Sequence, residues 1–212
     1  MTVTARKPHF WSEFMGDNFG WEVVLNATGF PHTDLLFSYA EAYRRAAHNL
    51  FESFRQAEVG RDMDMLPIIF LYRHAVEVSL KTILWEGEGV LLINGRPLRT
   101  AAKIFKGHNL KEMLPGVGQV LGLLDCSKIW VPPTFSSFAD IERVVIAINE
   151  IQHEAFRYPI DRSGRKELLE HPLRFDALVF TDKAEALLGV LESAAIRANE
   201  AFQKYFTDGT AS

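Results

Sequence analysis

Apolar residues recur every three or four positions along four long stretches of the chain, and each stretch predicts an amphipathic helix. From Asp34 to Ala57 the positions Leu35, Tyr39, Ala42, Ala46, Leu50 and Phe54 form one stripe, with Asp34 as N-cap. Gly60 and the segment Arg61 to Asp64 break it. Pro67 then falls in the first turn of a second helix, where its missing N–H does no harm. That helix, Leu66 to Trp85 and ending near Gly87 and Gly89, is apolar nearly all round, which predicts a place in the middle of a bundle. Ile141, Val144, Val145, Ile148 and Ile151 predict a third long helix, with Thr134 or Ser136 available as cap. The last helix starts at Thr181-Asp182, has Glu185 placed for a capping box with Asp182, and carries Leu187, Leu188, Leu191, Ala195, Phe202 and Tyr205 on one face.

Between these stretches the punctuation is local. Val90 to Leu98 holds Asn94-Gly95 between short apolar runs and reads as a small β-hairpin or an ordered loop, with Pro97 limiting any pairing. Asn109 predicts the cap of a short helix through Leu114, interrupted by Pro115, Gly116 and Gly118, and Val117 to Leu124 a further short helix. Arg157 to Phe180, broken by Pro159, Gly164 and Pro172, is a long connection. The fold class expected is all-α: an up-and-down bundle of four to five long helices. Residues 1–33 form an N-terminal extension packed on the domain, residues 34–206 a single bundle, and residues 207–212 a frayed tail.

Composition narrows the class without naming a reaction. The 212 residues are 48% hydrophobic and 24% charged, with 27 acidic against 23 basic side chains and a formal net charge of -4. This excludes a collagen, a coiled coil and wholesale disorder, and it leaves any nucleic-acid contact to a local basic patch. Cys126 is the only cysteine, so no intrachain disulfide and no cysteine-built zinc cage can form within one chain. With no continuous apolar run in Met1 to Glu22, a cytoplasmic protein is expected. Leu66 to Trp85 has the length of a membrane span, but Arg73, His74, Glu77 and Lys81 lie along it, so no membrane contact is expected.

Those four residues are the main candidate chemistry. Spacings of three, four and seven place them within about one quadrant of the second helix. Ionisable groups in a helix covered on all sides must pair, because an unpaired buried charge is prohibitively costly. Two readings stand open. In one, Glu77 accepts from Arg73 and Lys81 and His74 satisfies a backbone carbonyl; in the other, Arg73 and His74 line a cleft and act on an anionic ligand. Glu150 and His153 have the Glu-x-x-His spacing of di-metal bundles, and His48, His74 and His153 lie on three helices, but such centres need two of those motifs, so no metal and no cofactor is expected. Arg96, Arg99, Lys103, Lys106 and Lys111, with His108 among them, form a basic run that either faces water or tracks phosphates. Serine and cysteine nucleophile signatures, phosphate-cradling glycine loops and dinucleotide fingerprints are absent.

Three pieces occur in order: Leu71-Tyr72-Arg73-His74-Ala75-Val76-Glu77 leading to Leu80-Lys81, then Gly107-His108-Asn109-Leu110, then Phe156-Arg157-Tyr158-Pro159 with Asp161 and Gly164. Together they resemble a bacterial branch of the HEPN superfamily, the higher-eukaryote and prokaryote nucleotide-binding helical domains, over residues 34–206. The resemblance implies a helical bundle, commonly a homodimer. It also implies RNA or a nucleotide as ligand, a protein partner such as a nucleotidyltransferase, and in many members metal-independent ribonuclease activity in toxin, defence or stress systems. Those ribonucleases use an Arg followed four to six residues later by a His near the start of the final helix; here the matching pair is Arg165 and His171, ahead of the expected start at Thr181. If cleavage occurs, a His draws a proton from a ribose 2′-hydroxyl while an Arg stabilises phosphate charge. His74 or His171 is then the base, and Arg73, Arg157 or Arg165 the phosphate ligand. Glu77, Lys81, His108, Tyr158 and Asp161 complete a cluster that either binds ligand or holds the loops. The alternative is a non-catalytic helical module that binds a nucleotide or a protein partner.

Overall fold

The computed structural model describes residues 32–57, 62–96, 107–124, 129, 134–150 and 174–209. Five α-helices account for nearly all of them: α1 (His32–Arg55), α2 (Met65–Ile93), α3 (Leu110–Leu121), α4 (Phe138–Glu150) and α5 (Ala177–Gly209), with one 3-10 turn, Asp62–Asp64, leading into α2. The protein is an all-α bundle. Helix α2 is its axis: α1, α3 and α5 each pack on it, and α4 packs mainly on α3. Tyr72, Val76, Leu80, Ile83 and Leu91 of α2 are sealed from solvent, together with Leu110, Val117 and Val120 of α3, Ile141 and Val145 of α4, and Leu187 and Leu191 of α5. An apolar surface on every side of α2 is what lets three helices share it.

Several boundaries differ from the expected ones, each for a local reason. Helix α2 runs through Gly87 and Gly89 to Ile93, and the Asn94-Gly95 pair ends the helix instead of turning a hairpin. Gly95 takes φ +67°, its N–H donates to the Leu92 carbonyl at 3.0 Å, and the Arg96 N–H donates to the Leu91 carbonyl at 2.8 Å. That is a Schellman cap. A left-handed glycine serves a hairpin turn and a helix end equally well, so the dipeptide alone does not choose. Of the segment 90–98, residues 90–93 are therefore helical and 94–96 an ordered turn; no β-strand forms among the described residues, and residues 97–98 lie outside them.

Helix α3 is continuous through Pro115, whose ring sits on the exposed face, where the carbonyl left without its helical N–H can meet water. Its cap is Asn109, whose side chain accepts from the Lys111 N–H. Helix α4 is capped by Asp140, which accepts from the N–H groups of Ser136 and Ser137 and from the Ser137 hydroxyl. Helix α5 begins at Ala177 because Asp176 accepts from the Val179 N–H at 3.0 Å. Asp182 and Glu185 are thus interior, and Glu185 is released for a different task.

The inward face of α1 also differs from the expected stripe. Ala40, Ala47 and Phe51 are buried, with Tyr43 and Phe54 packed beside them. Tyr39, Ala42, Ala46 and Leu50 face outward. Two apolar stripes lie side by side on this helix, and the one holding alanines and Phe51 gives the closer approach to α2. Of the expected extension 1–33, residues 1–31 lie outside the described residues, and of the expected connection 157–180, residues 157–173 do, while His32 and Ala177 already open helices.

Close approach also explains two glycines of α2. A Cβ at position 87 would overlap the Val120 side chain of α3, and one at position 89 would overlap the Phe202 ring of α5. Gly189 of α5 has open space where its Cβ would go. Gly87→Ala is expected to lower stability by about 1–3 kcal/mol through overpacking against a stiff valine. Gly189→Ala is expected to raise it by about 0.5–1 kcal/mol through helix propensity alone. Thermal unfolding of the two variants should shift in opposite directions; a Gly87→Ala protein as stable as wild type contradicts the tight α2–α3 contact.

Candidate functional site

The polar stripe of α2 divides into two environments. Arg73, Glu77 and Lys81 succeed one another at i, i+4 and i+8, and all three are buried, Glu77 to 2% exposure. Glu77 accepts from Arg73 Nη1 at 3.2 Å through one oxygen, and from Lys81 Nζ at 2.8 Å through the other. That second oxygen also meets His108 Nδ1 at 2.8 Å. Arg73 Nη2 donates to the backbone carbonyl of His108 at 2.7 Å. Residue 108 is therefore gripped at ring and main chain by two side chains one helical turn apart on α2.

Burial pushes the Glu77 carboxyl up, but hydrogen bonds from Lys81 and His108, and then the charges of both, outweigh it and hold the group below the ordinary carboxylate range. The carboxylate is the shared acceptor that makes two buried cations compatible with the core.

His74 belongs elsewhere. Its ring meets the Tyr43 ring edge-on, centroids 4.3 Å apart, and lies parallel to Phe70 at 6.0 Å. It is half-buried on the α1 side of α2. The structure thus brings together Arg73, Glu77, Lys81 and His108, and sets the His74 ring against Tyr43 and Phe70. Arg157, Tyr158, Asp161, Arg165 and His171 lie outside the described residues, as do Arg99, Lys103, Lys106 and His153. Lys111, near the start of α3, reaches Glu150 of α4 at 3.4 Å on the surface. Among the described residues no group of three His, Cys, Asp or Glu side chains is arranged to hold a metal ion, and no helix is long and apolar enough to cross a membrane.

A second network escapes the sequence pattern. Glu185 of α5 accepts from the hydroxyl of Tyr72 at 2.7 Å and from Arg44 Nε of α1 at 2.7 Å. Arg44 Nη1 also donates to Glu192 at 3.2 Å, and His48 Nδ1 lies 3.7 Å from Glu185. Burial, then the bond to Glu185, drives the Tyr72 phenol far above its ordinary range, so it is a fixed donor. Beside this network α1, α2 and α5 leave a small open groove, lined by Phe37, Glu41, Arg44, Ser79, Thr82 and Glu192 among others. The available signal was Glu185 itself, an acid at the margin of an apolar stripe, but a capping role accounted for it equally well.

Glu77→Ala removes the one carboxylate shared by Arg73 and Lys81 and is expected to lower the unfolding free energy at pH 7 by about 3–5 kcal/mol. The folded carboxyl titrates below its unfolded value of about 4.3, so this contribution is complete above that pH and is lost as pH falls through the lower, folded value. The gap between wild type and variant should narrow in acid. Urea unfolding between pH 7 and pH 3 reads it directly; a gap that widens in acid contradicts the assignment.

In comparisons with known proteins, no family model, no curated protein and no solved structure matches the chain.

Proposed function

We propose that the chain is a HEPN-like helical protein of the bacterial cytoplasm that takes up RNA or a nucleotide where α2 meets the 107–111 turn. Metal-independent ribonuclease action in a defence, toxin or stress system is the activity such a site serves. The observation that supports this reading is an exposed imidazole, His108, seated over a buried Arg73–Glu77–Lys81 network. Arg73 donates to Glu77 and to the His108 carbonyl, which suits a residue that positions the turn. Phosphate contacts then fall to the exposed groups, His108 and Lys111, with Arg157, Arg165 and His171 as further candidates from the sequence.

Binding of a short single-stranded RNA, followed by fluorescence anisotropy, is expected to weaken steeply with salt, with a log–log slope near −0.7 for each phosphate contact. Lys111→Ala should weaken binding several-fold and flatten that slope by about one contact. Wild-type protein without RNA affinity at low salt removes the reading.

A second reading draws on α1. Tyr39 at 53% exposure and Leu50 at 45% stand on the outward stripe with Ala42 and Ala46, an apolar strip suited to a protein partner, whether a second copy or a nucleotidyltransferase. In this reading the chain is a non-catalytic module and the Glu77 network only holds the turn. Light scattering separates the cases: a homodimer that Leu50→Glu reduces to a mass near 24.0 kDa supports the interaction surface, whereas a monomer across a wide concentration range removes the second-copy form of it.

A further inference from the structure

The groove between α1, α2 and α5 has a lining suited to one kind of ligand. Two carboxylates stand on it, Glu41 of α1 and Glu192 of α5, and Arg44 Nη1 lies 3.8 Å from the first and 3.2 Å from the second. Arg44 Nε is committed to Glu185, which also accepts from Tyr72 and lies 3.7 Å from His48. One guanidinium thus faces three carboxylates, and with His48 neutral the charge left over is negative. Glu41 and Glu192 each meet Arg44 through Oε2, so Oε1 of each has no protein partner among the described residues.

An acidic rim alone would simply be hydrated. A second, independent observation comes from α2: Ser79 is 8% exposed and lines the groove, yet its hydroxyl enters no hydrogen bond among the described residues. A serine or threonine inside a helix can return its hydroxyl to the carbonyl four residues back, as Thr82 does to Val78 and Ser193 to Gly189, each at 2.9 Å. A buried hydroxyl without a partner is costly, so Ser79 is a group kept for something that enters the groove. Thr82, on the same wall, has given its proton to Val78 and presents oxygen lone pairs.

Apart from Arg44, the polar atoms of this lining are therefore acceptors, or in Ser79 a group that can accept. An anion meets two carboxylates there and is repelled. A metal ion needs a shell of oxygen or nitrogen ligands, whereas Phe37, Leu188, Leu191 and Ala195 make much of the wall apolar. A primary ammonium on an aliphatic stem fits both halves of the lining, with N–H donors for the oxygens and methylenes for the apolar wall. Its headgroup is little larger than a water, which suits a small groove.

We infer that this groove binds a primary alkylammonium ion, with Ser79, Thr82 and the Glu41 and Glu192 carboxylates accepting from its headgroup and the stem lying along Leu188 and Leu191. The site is separate from the α2–107–111 turn and does not depend on the RNA reading.

Titration of the full chain at constant ionic strength tests it, with thermal unfolding and calorimetry as readouts. 1,4-Diaminobutane should raise the melting temperature saturably. Tetramethylammonium, which carries a charge but no N–H donor, should not. Nα-acetyl-lysine methylamide distinguishes the source of the headgroup: binding as tight as the diamine's assigns the groove to a lysine side chain as well as to a free amine, and weaker binding to the free amine alone. Glu192→Gln, at a 39% exposed side chain, and Ser79→Ala should each weaken diamine binding about tenfold or more; if Ser79→Ala does not fold, Glu192→Gln decides. No saturable response to the diamine, an equal response to tetramethylammonium, or a Glu192→Gln protein that binds as tightly as wild type overturns the inference.

Discussion

One buried carboxylate organises this end of the molecule. Glu77 lies 2% exposed on the helix that α1, α3 and α5 all pack against, where water is too scarce to solvate a charge; the group is tolerable because Arg73, Lys81 and His108 all donate to it. The consequence is topological. Holding His108 by ring and carbonyl fixes where the chain re-enters the bundle, Asn109 then caps α3, and the Leu110 N–H donates to Asn149 Oδ1 of α4 at 2.8 Å. A charge requirement on α2 thus passes through a three-residue turn to the placement of α3 and α4.

The Tyr72–Glu185–Arg44 network does the corresponding work on another face. Tyr72 lies about 140° round the helix from Glu77 at about 100° per residue, so the two networks pin α2 from different directions. A helix apolar on all sides has little in its hydrophobic surface to select one rotation about its axis; hydrogen-bonded polar groups at two bearings supply that choice. Glycines 87 and 89 then let α3 and α5 close on the same helix at the distances the networks require.

Much of this was legible in the sequence, because the signals concerned were local. The all-α class, the central place of α2 and the Asn109 cap follow from periodicity and residue type. So does the pairing of Glu77 with Arg73 and Lys81, since spacings of four on one helix bring side chains together whatever surrounds them. The misread features depend on context. Asn94-Gly95 supplies a left-handed residue that suits a hairpin or a helix end, and only the continued helix through Ile93 decides. The two stripes of α1 are equally apolar, and their choice is made by α2. Glu185 needed a tyrosine 113 residues earlier in the chain to reveal its role, and His108 pairs with Glu77 because a turn brings it there.

The central claim is that Glu77 and His108 are energetically coupled across the turn. A double-mutant cycle of Glu77→Gln and His108→Ala, measured by urea unfolding at pH 7, tests it most directly. The account predicts a coupling of about 1–3 kcal/mol, with the double variant less destabilised than the sum of the single ones. Additivity within about 0.3 kcal/mol, the behaviour of independent sites, would contradict it.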